Sequence, residues 1–280
     1  MSITAPATPA SAPTARITRS YLFVPGGRPD RFDKALAASA HCVIIDLEDA
    51  VPAEGKTAAR AAIAAWLSPE RPVAIRINGA TTPWFNDDLA LCASPGVCAV
   101  VLPKAERAGE VERVRAACGD GVAVLPLIET AKGLWSALEV ARARGVERLL
   151  LGSLDYQLDL GITDEDLLHC RSQLVLISRV AGCQPPVDGV TTAFDSPEPL
   201  ARDLTRARRL GFGGKLCIHP RQVAAVNTAF QPSADEIAWA RRVVEADARA
   251  GGNAVAVDGG MVDRPVLLKA RAILEEAGGT

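Results

Sequence analysis

From residue 18 onward, eight short apolar runs alternate with longer stretches of helical periodicity. The runs are SYLFVPG, HCVIIDLED, PVAIRIN, CAVVLPK, VAVLPLIE, RLLLGSLD, PPVDGVTT and GKLCIHP. Several are continuously apolar rather than alternating, the pattern of strands buried on both faces of a parallel sheet. The segments that follow them, such as EGKTAARAAIAAWL and SPEPLARDLTRARRLG, carry the 3.6-residue period of amphipathic helices. Pro29 and Asp30 open the first helix and Pro83 the third, while Gly145 and Gly211 lie just past helical segments. Eight βα units specify a closed barrel more naturally than an open doubly wound sheet. The expected fold is therefore an α/β TIM (β/α)8 barrel, which a chain of 280 residues accommodates with some 50 to spare.

Those further residues form a C-terminal extension. SADEIAWARRVVEADARAGG reads as a ninth helix, and a Gly-rich turn, VDGGMVD, precedes a last helix opened by Pro265. The expected organisation is a disordered tail over residues 1–17, the barrel over 18–230, and a C-terminal lid and oligomer-contact segment over 231–280. The tail is rich in Ala, Pro, Ser and Thr and has no acid or continuous apolar stretch. That composition does not suit a secretory signal; the lack of acids fits an organellar transit peptide, although the prolines would interrupt its amphipathic helix.

A net charge of −2 gives no broad pull toward nucleic acid or anionic membrane. No apolar run reaches the ~18 residues that a bilayer span needs. The seven cysteines lack CxxC spacing and are odd in number, which argues against a disulfide framework. Cys42, Cys98 and Cys217 lie in apolar runs and read as buried thiols, so a reducing, cytoplasmic location is expected.

A barrel places its chemistry at the C-terminal ends of its strands. Residues at those positions include Asp46, Glu48 and Asp49 after the second run, Arg76 in the third, Lys104 after the fourth, Glu129 after the fifth and Asp155 after the sixth. On neighbouring parallel strands, Glu129 and Asp155 would emerge at one rim, separated by roughly the ~5 Å between strand axes. Two carboxylates, water and a substrate oxygen would complete the oxygen shell that Mg²⁺ favours. Glu129, just before TAKGLW, could alternatively cap the following helix. Arg76 interrupts an apolar strand, where an unpaired guanidinium is costly, so it needs an anion. That anion is either a substrate carboxylate held bidentately or an internal partner such as Asp46 or Glu48. The DLEDAV cluster could order waters or hold Arg76; otherwise it is a solvated turn at a helix N-terminus. Of the three histidines, His41 precedes its strand and His169 lies in a helical pattern, leaving His219 as a positioning residue.

PGGRPDRFDKAL, DLEDAVPAEGKTAAR, RIN, LPKAE, PLIET, LLLGSLDYQLDLG, GKLCIHPRQV and DGGMVDRPVLLKAR together resemble the citrate lyase β-subunit-like branch of the HpcH/HpaI aldolase family, from about residue 19 to the C-terminus. The resemblance implies a TIM barrel, Mg²⁺, assembly into homotrimers, and cleavage of a CoA thioester of the malyl-, citramalyl- or citryl-CoA type into an acyl-CoA and a 2-oxo acid. Residue by residue, it implies that Glu129 and Asp155 ligate the metal and that Arg76 grips the oxo acid. It also implies that Asp263, in GGMVDRP, transfers a proton from a C-terminal lid to a neighbouring subunit's site. Glu48 is the second catalytic candidate. Arg19, more than Arg28 or Lys34, is the expected partner for CoA phosphate. Asp49 stands where the hydroxy-oxo-acid aldolases of the wider family carry a histidine, which disfavours histidine-based aldolase chemistry. Gln157, Leu158 and Trp135 are bulkier than their counterparts in relatives and would alter the pocket. Two other readings remain: a thioesterase or malate-synthase-like condensing enzyme on the same site, and a citrate lyase β subunit that acts only with an acyl-carrier protein.

Overall fold

The structure is a computed structural model that describes residues 17–164, 166–250 and 255–278; the expected N-terminal tail, apart from Ile17, lies outside the described residues. Eight parallel strands close into a TIM barrel in sequence order, β1 (Ser20–Pro25), β2 (Cys42–Asp46), β3 (Val73–Arg76), β4 (Val97–Leu102), β5 (Ala123–Ile128), β6 (Leu150–Leu151), β7 (Val187–Asp188) and β8 (Gly214–Cys217), and β1 pairs with β8 to seal it. The helices that return the chain are α1 (Phe32–Leu36), α2 (Lys56–Trp66), α3 (Phe85–Cys92), α4 (Ala108–Cys118), α5 (Ala131–Arg142), α6 (Ser153–Leu160), α7 (Leu168–Ala181), α8 (Pro197–Leu210) and α9 (Pro220–Ala229).

Period-two alternation sorts the strand residues into two cores. Tyr21, Ile44, Ala74, Val101, Leu125 and Leu216 fill the barrel interior. Their neighbours Leu22, Ile45, Ile75, Val100, Val124 and Cys217 face the helices. Both sets are buried, which is why the runs read as continuously apolar. Arg148, at the entrance to β6, is wholly buried. Its guanidinium donates to the carbonyls of Thr18 at 2.7 Å and of Pro185, so a full charge at the N-terminal end of the barrel is satisfied by backbone.

Two expectations are corrected. The sixth run is strand only over Leu150–Leu151, because Ser153 onward turns into the short helix α6, so Asp155, expected just after this strand, sits in that helix's first turn. Cys98 is exposed rather than buried and Cys42 is half-buried, whereas Cys217 is buried as expected; all seven cysteines are free. Among the described residues no helix is long and apolar enough to cross a membrane.

Residues 18–230 form one compact unit, and 231–280 belong to a second. In the second unit α10 (Ala234–Ala250) packs on α11 (Arg264–Gly278) through Ala240, Val243 and Ala270, with a hairpin of β9 (Val255–Val257) and β10 (Gly260–Val262) beside them. The hairpin turns at Asp258 and Gly259, both with positive φ (52° and 79°), the Asp-Gly pairing that a tight two-residue turn requires.

Candidate active site

The ends of β1, β2 and β3 are level, since Pro25 is in register with Asp46 and Asp46 with Arg76. This places a guanidinium directly beside a carboxylate. Arg76 donates from Nε and Nη2 to the two oxygens of Asp46, both at 2.7 Å, and its Nη1 lies 3.0 Å from Glu48 Oε2 and 3.4 Å from Asp49 Oδ2. Asp46 also accepts from the backbone N–H groups of Glu48 and Ala50, so it serves as the anchor of the turn. The internal-partner reading of Arg76 therefore holds in this structure, and the guanidinium still borders the cavity described below. Burial alone would lower its pKa, but the Asp46 hydrogen bonds and the surrounding carboxylates raise it above the ordinary arginine value.

Lys104 follows β4 in a left-handed conformation, φ 48°. Its N–H donates to Glu129 Oε1 at 2.8 Å and its Nζ to Glu48 Oε1 at 2.9 Å. One residue thus ties two acids from different strands. Glu48, the second catalytic candidate, bridges Arg76 and Lys104 beside the cavity, whose wall is formed by its neighbours Asp46 and Asp49. Burial pushes its carboxyl pKa up against the pull of Arg76 and Lys104.

Glu129 directly follows β5, whose last residue still pairs with the chain leaving β6, Gly152 N–H donating to Ile128 O at 3.0 Å. The close approach needs Gly152, because a Cβ there would lie 2.4 Å from Glu129 Oε2. Glu129 is 1% exposed. Burial first, then the Glu48 and Asp155 carboxylates, push its pKa up to about 8 despite Lys104. It does not cap α5; Thr130 does that, its hydroxyl accepting from Gly133 N–H at 2.9 Å. Asp155 occupies the first turn of α6, where the helix dipole favours a carboxylate.

Glu129, Asp155, Asp46, Asp49 and Arg76 border one cavity of about 310 Å³ at the C-terminal end of the barrel. Its remaining wall is largely apolar, built from Phe23, Leu127, Leu154, Val190, Leu216 and Ile218. Among the described residues no three His, Cys, Asp or Glu side chains gather closely enough to hold a metal by themselves. Two hard oxygen donors beside open space suit Mg²⁺, which keeps several waters and dispenses with a full protein cage. A divalent cation there would offset both causes that hold the Glu129 pKa up, its burial first and then the neighbouring Glu48 and Asp155 carboxylates.

Arg19 is not brought to this rim. It lies before the first residue of β1, at the opposite end from Pro25, is 2% exposed, and its backbone bonds to His41 Nδ1 and Lys215 N–H. A cation so screened at the far end of the strand does not meet a phosphate at the rim. Arg28, in the loop after β1, pairs instead with Asp30 at 2.8 Å. Asp263 belongs to the C-terminal unit, where its Oδ1 accepts from Val266 N–H at 3.1 Å at the start of α11. His219 caps α9: its Nδ1 accepts from Arg221 N–H at 3.1 Å and the ring stacks on Phe194. Trp135 and Leu158, at 92% and 80% exposure, project outside the cavity, as does Gln157.

A second charged cluster escaped the sequence reading. Asp188, at the end of β7, accepts from Arg171 Nε at 2.8 Å and Lys215 Nζ at 3.3 Å, all three buried between the barrel and the helices. A lysine within the apolar run GKLC was the available signal, by the reasoning applied to Arg76.

A family model described as HpcH/HpaI aldolase/citrate lyase matches residues 19–220. A citrate lyase subunit beta-like protein from Deinococcus radiodurans is 38% identical over 94% of this chain and 98% of its own length. A (3S)-malyl-CoA thioesterase from Cereibacter sphaeroides is 34% identical over 92% and 94%. The crystal structure of CitE from Mycobacterium tuberculosis in complex with magnesium, acetoacetate and coenzyme A is 36% identical, covers 94% of this chain and 98% of that one, and superposes with a TM-score of 0.82.

Proposed function

The chain belongs to the HpcH/HpaI aldolase/citrate lyase family, and from that premise we propose that it is a Mg²⁺-dependent carbon–carbon lyase that cleaves a 3-hydroxy acyl-CoA of the malyl, citramalyl or citryl type into an acyl-CoA and a 2-oxo acid. The observation that carries the reading is the convergence of Glu129, Asp155 and Arg76 on one cavity. Glu129 and Asp155 would hold the cation, which supplies Lewis-acid polarisation of a substrate oxygen.

Arg76, fixed by Asp46 and Glu48, orients the carboxylate of the oxo-acid half. In cleavage a base takes the hydroxyl proton, the O–H electron pair forms the carbonyl of the 2-oxo acid, the bond between the carbinol carbon and the thioester α-carbon breaks, and its electron pair remains on the α-carbon. A proton delivered to that carbon completes the acyl-CoA, with no net oxidation or reduction. Asp263 is the group we assign to that proton, by the family resemblance of GGMVDRP.

The test is mass spectrometry of malyl-, citramalyl- and citryl-CoA incubated with the protein and Mg²⁺. The expected products are an intact acyl-CoA and a 2-oxo acid, with turnover abolished in Asp155→Ala; unchanged turnover in that variant would sink the assignment. The 34% identity to a malyl-CoA thioesterase supports a second reading, hydrolysis on the same site, in which free CoA thiol replaces acyl-CoA among the products.

A further inference from the structure

Lys104 touches both acids that flank the site, Glu129 and Glu48, and no step of the lyase reading uses it. Its φ of 48° lies in the left-handed region, which glycine adopts freely and asparagine tolerates, so nothing in the backbone favours a lysine there. The side chain supplies the reason. It is 48% exposed, yet its Nζ lies 2.9 Å from Glu48 Oε1 and 3.9 Å from Glu129 Oε1, and the residue's own N–H donates to the same Glu129 oxygen at 2.8 Å. Arg76, which borders the cavity, is committed elsewhere: it donates twice to Asp46, with Glu48 and Asp49 beside its Nη1. Among the described residues, the Lys104 ammonium is thus the one cation paired with Glu129.

We infer that Lys104 is the counter-ion of the metal site: its ammonium neutralises Glu129 and Glu48 until a divalent ion arrives, and so sets how tightly that ion is held. The inference rests on the reading that Glu129 and Asp155 ligate Mg²⁺. An ion on the Glu129 carboxylate would lie within about 6–8 Å of the ammonium, given a Mg–O contact of ~2.1 Å. If the ammonium stays, it repels the ion, and between a single and a double charge that repulsion is worth about tenfold in affinity even at the dielectric of water. If it swings into solvent, it forfeits the Glu48 contact. Either course weakens Mg²⁺ binding, the opposite of what a residue that only holds Glu129 in place would do.

The test is calorimetric titration with Mg²⁺ on the wild type, Lys104→Asn and Lys104→Arg, at low ionic strength and near pH 9, where protonation of Glu129 contributes little. Asparagine suits the backbone but is too short to reach Glu48, whereas arginine keeps the charge. Mg²⁺ affinity is expected to rise about tenfold in Lys104→Asn and to stay within about threefold of wild type in Lys104→Arg. Lys104→Gly, which the left-handed backbone favours, repeats the measurement should asparagine disturb folding. Affinity unchanged or weakened in the folded variant that lacks the charge would overturn the inference and leave the metal assignment intact. An equal rise in Lys104→Arg would overturn it too, since charge would then not be the cause. Absence of Mg²⁺ binding by the wild type would remove the metal assignment and the inference together.

Discussion

Glu129 and Asp188 are both carboxylates almost wholly shielded from water, at 1% and 0% exposure, and their surroundings drive them in opposite directions. For Asp188 burial would raise the pKa, but Lys215 and Arg171 outweigh it and hold the carboxyl below its usual range. For Glu129 burial and two neighbouring acids act together and carry it to about 8. The first is a closed ion cluster that pins β7 and β8 to α7. The second is an open arrangement with surplus negative charge, which a cation completes. Burial of an acid therefore says little about function; the sign of what surrounds it decides.

The largest expected effect lies in the closed cluster. Asp188→Asn removes the buried carboxylate that Lys215 and Arg171 share, with Asp203 still 3.9 Å from Lys215, and should cost about 3–5 kcal/mol in denaturant unfolding. Loss below 1 kcal/mol would mean that the two acids do not differ as described. The open arrangement should respond the other way. An acid with a raised folded pKa binds more protons folded than unfolded between 4.5 and about 8, so its favourable contribution is complete below 4.5 and gone above about 8. Metal-free protein should thus lose stability as pH rises through that window, and Glu129→Gln should remove most of that loss. Parallel pH–stability curves for the two proteins would contradict it. The smallest effect is expected outside both clusters: Trp135→Ala and Leu158→Gln, on exposed surfaces, should change stability by no more than about 0.5 kcal/mol and leave kcat/KM unaltered.

The barrel was legible in the sequence because strands covered on both faces read as nearly continuous apolar runs, as in CVIID and AVLPLI. The helix α6 was not legible, since LLLGSLD is equally apolar whether it continues as strand or turns at Gly152. Position along the strand identified Asp46, Arg76, Glu129 and Asp155 as rim residues, and all four border the cavity. The same logic gave no access to partners. That Glu48 bridges Arg76 and Lys104, or that Lys104 holds Glu129 through a left-handed backbone, depends on loops whose geometry no periodicity encodes. Asp188 and Lys215 were overlooked because their strands were read for apolar character alone.

The central claim is that Glu129 and Asp155 together hold a divalent cation, and calorimetric titration with Mg²⁺ in two buffers of different ionisation enthalpy tests it without substrate. Near pH 7 Glu129 is largely protonated, so binding should release close to one proton per ion, falling toward none above pH 9. Both the binding and the proton release should vanish in Glu129→Gln and Asp155→Ala. Mg²⁺ binding that persists in both variants, or that releases no proton at pH 7, would contradict the account.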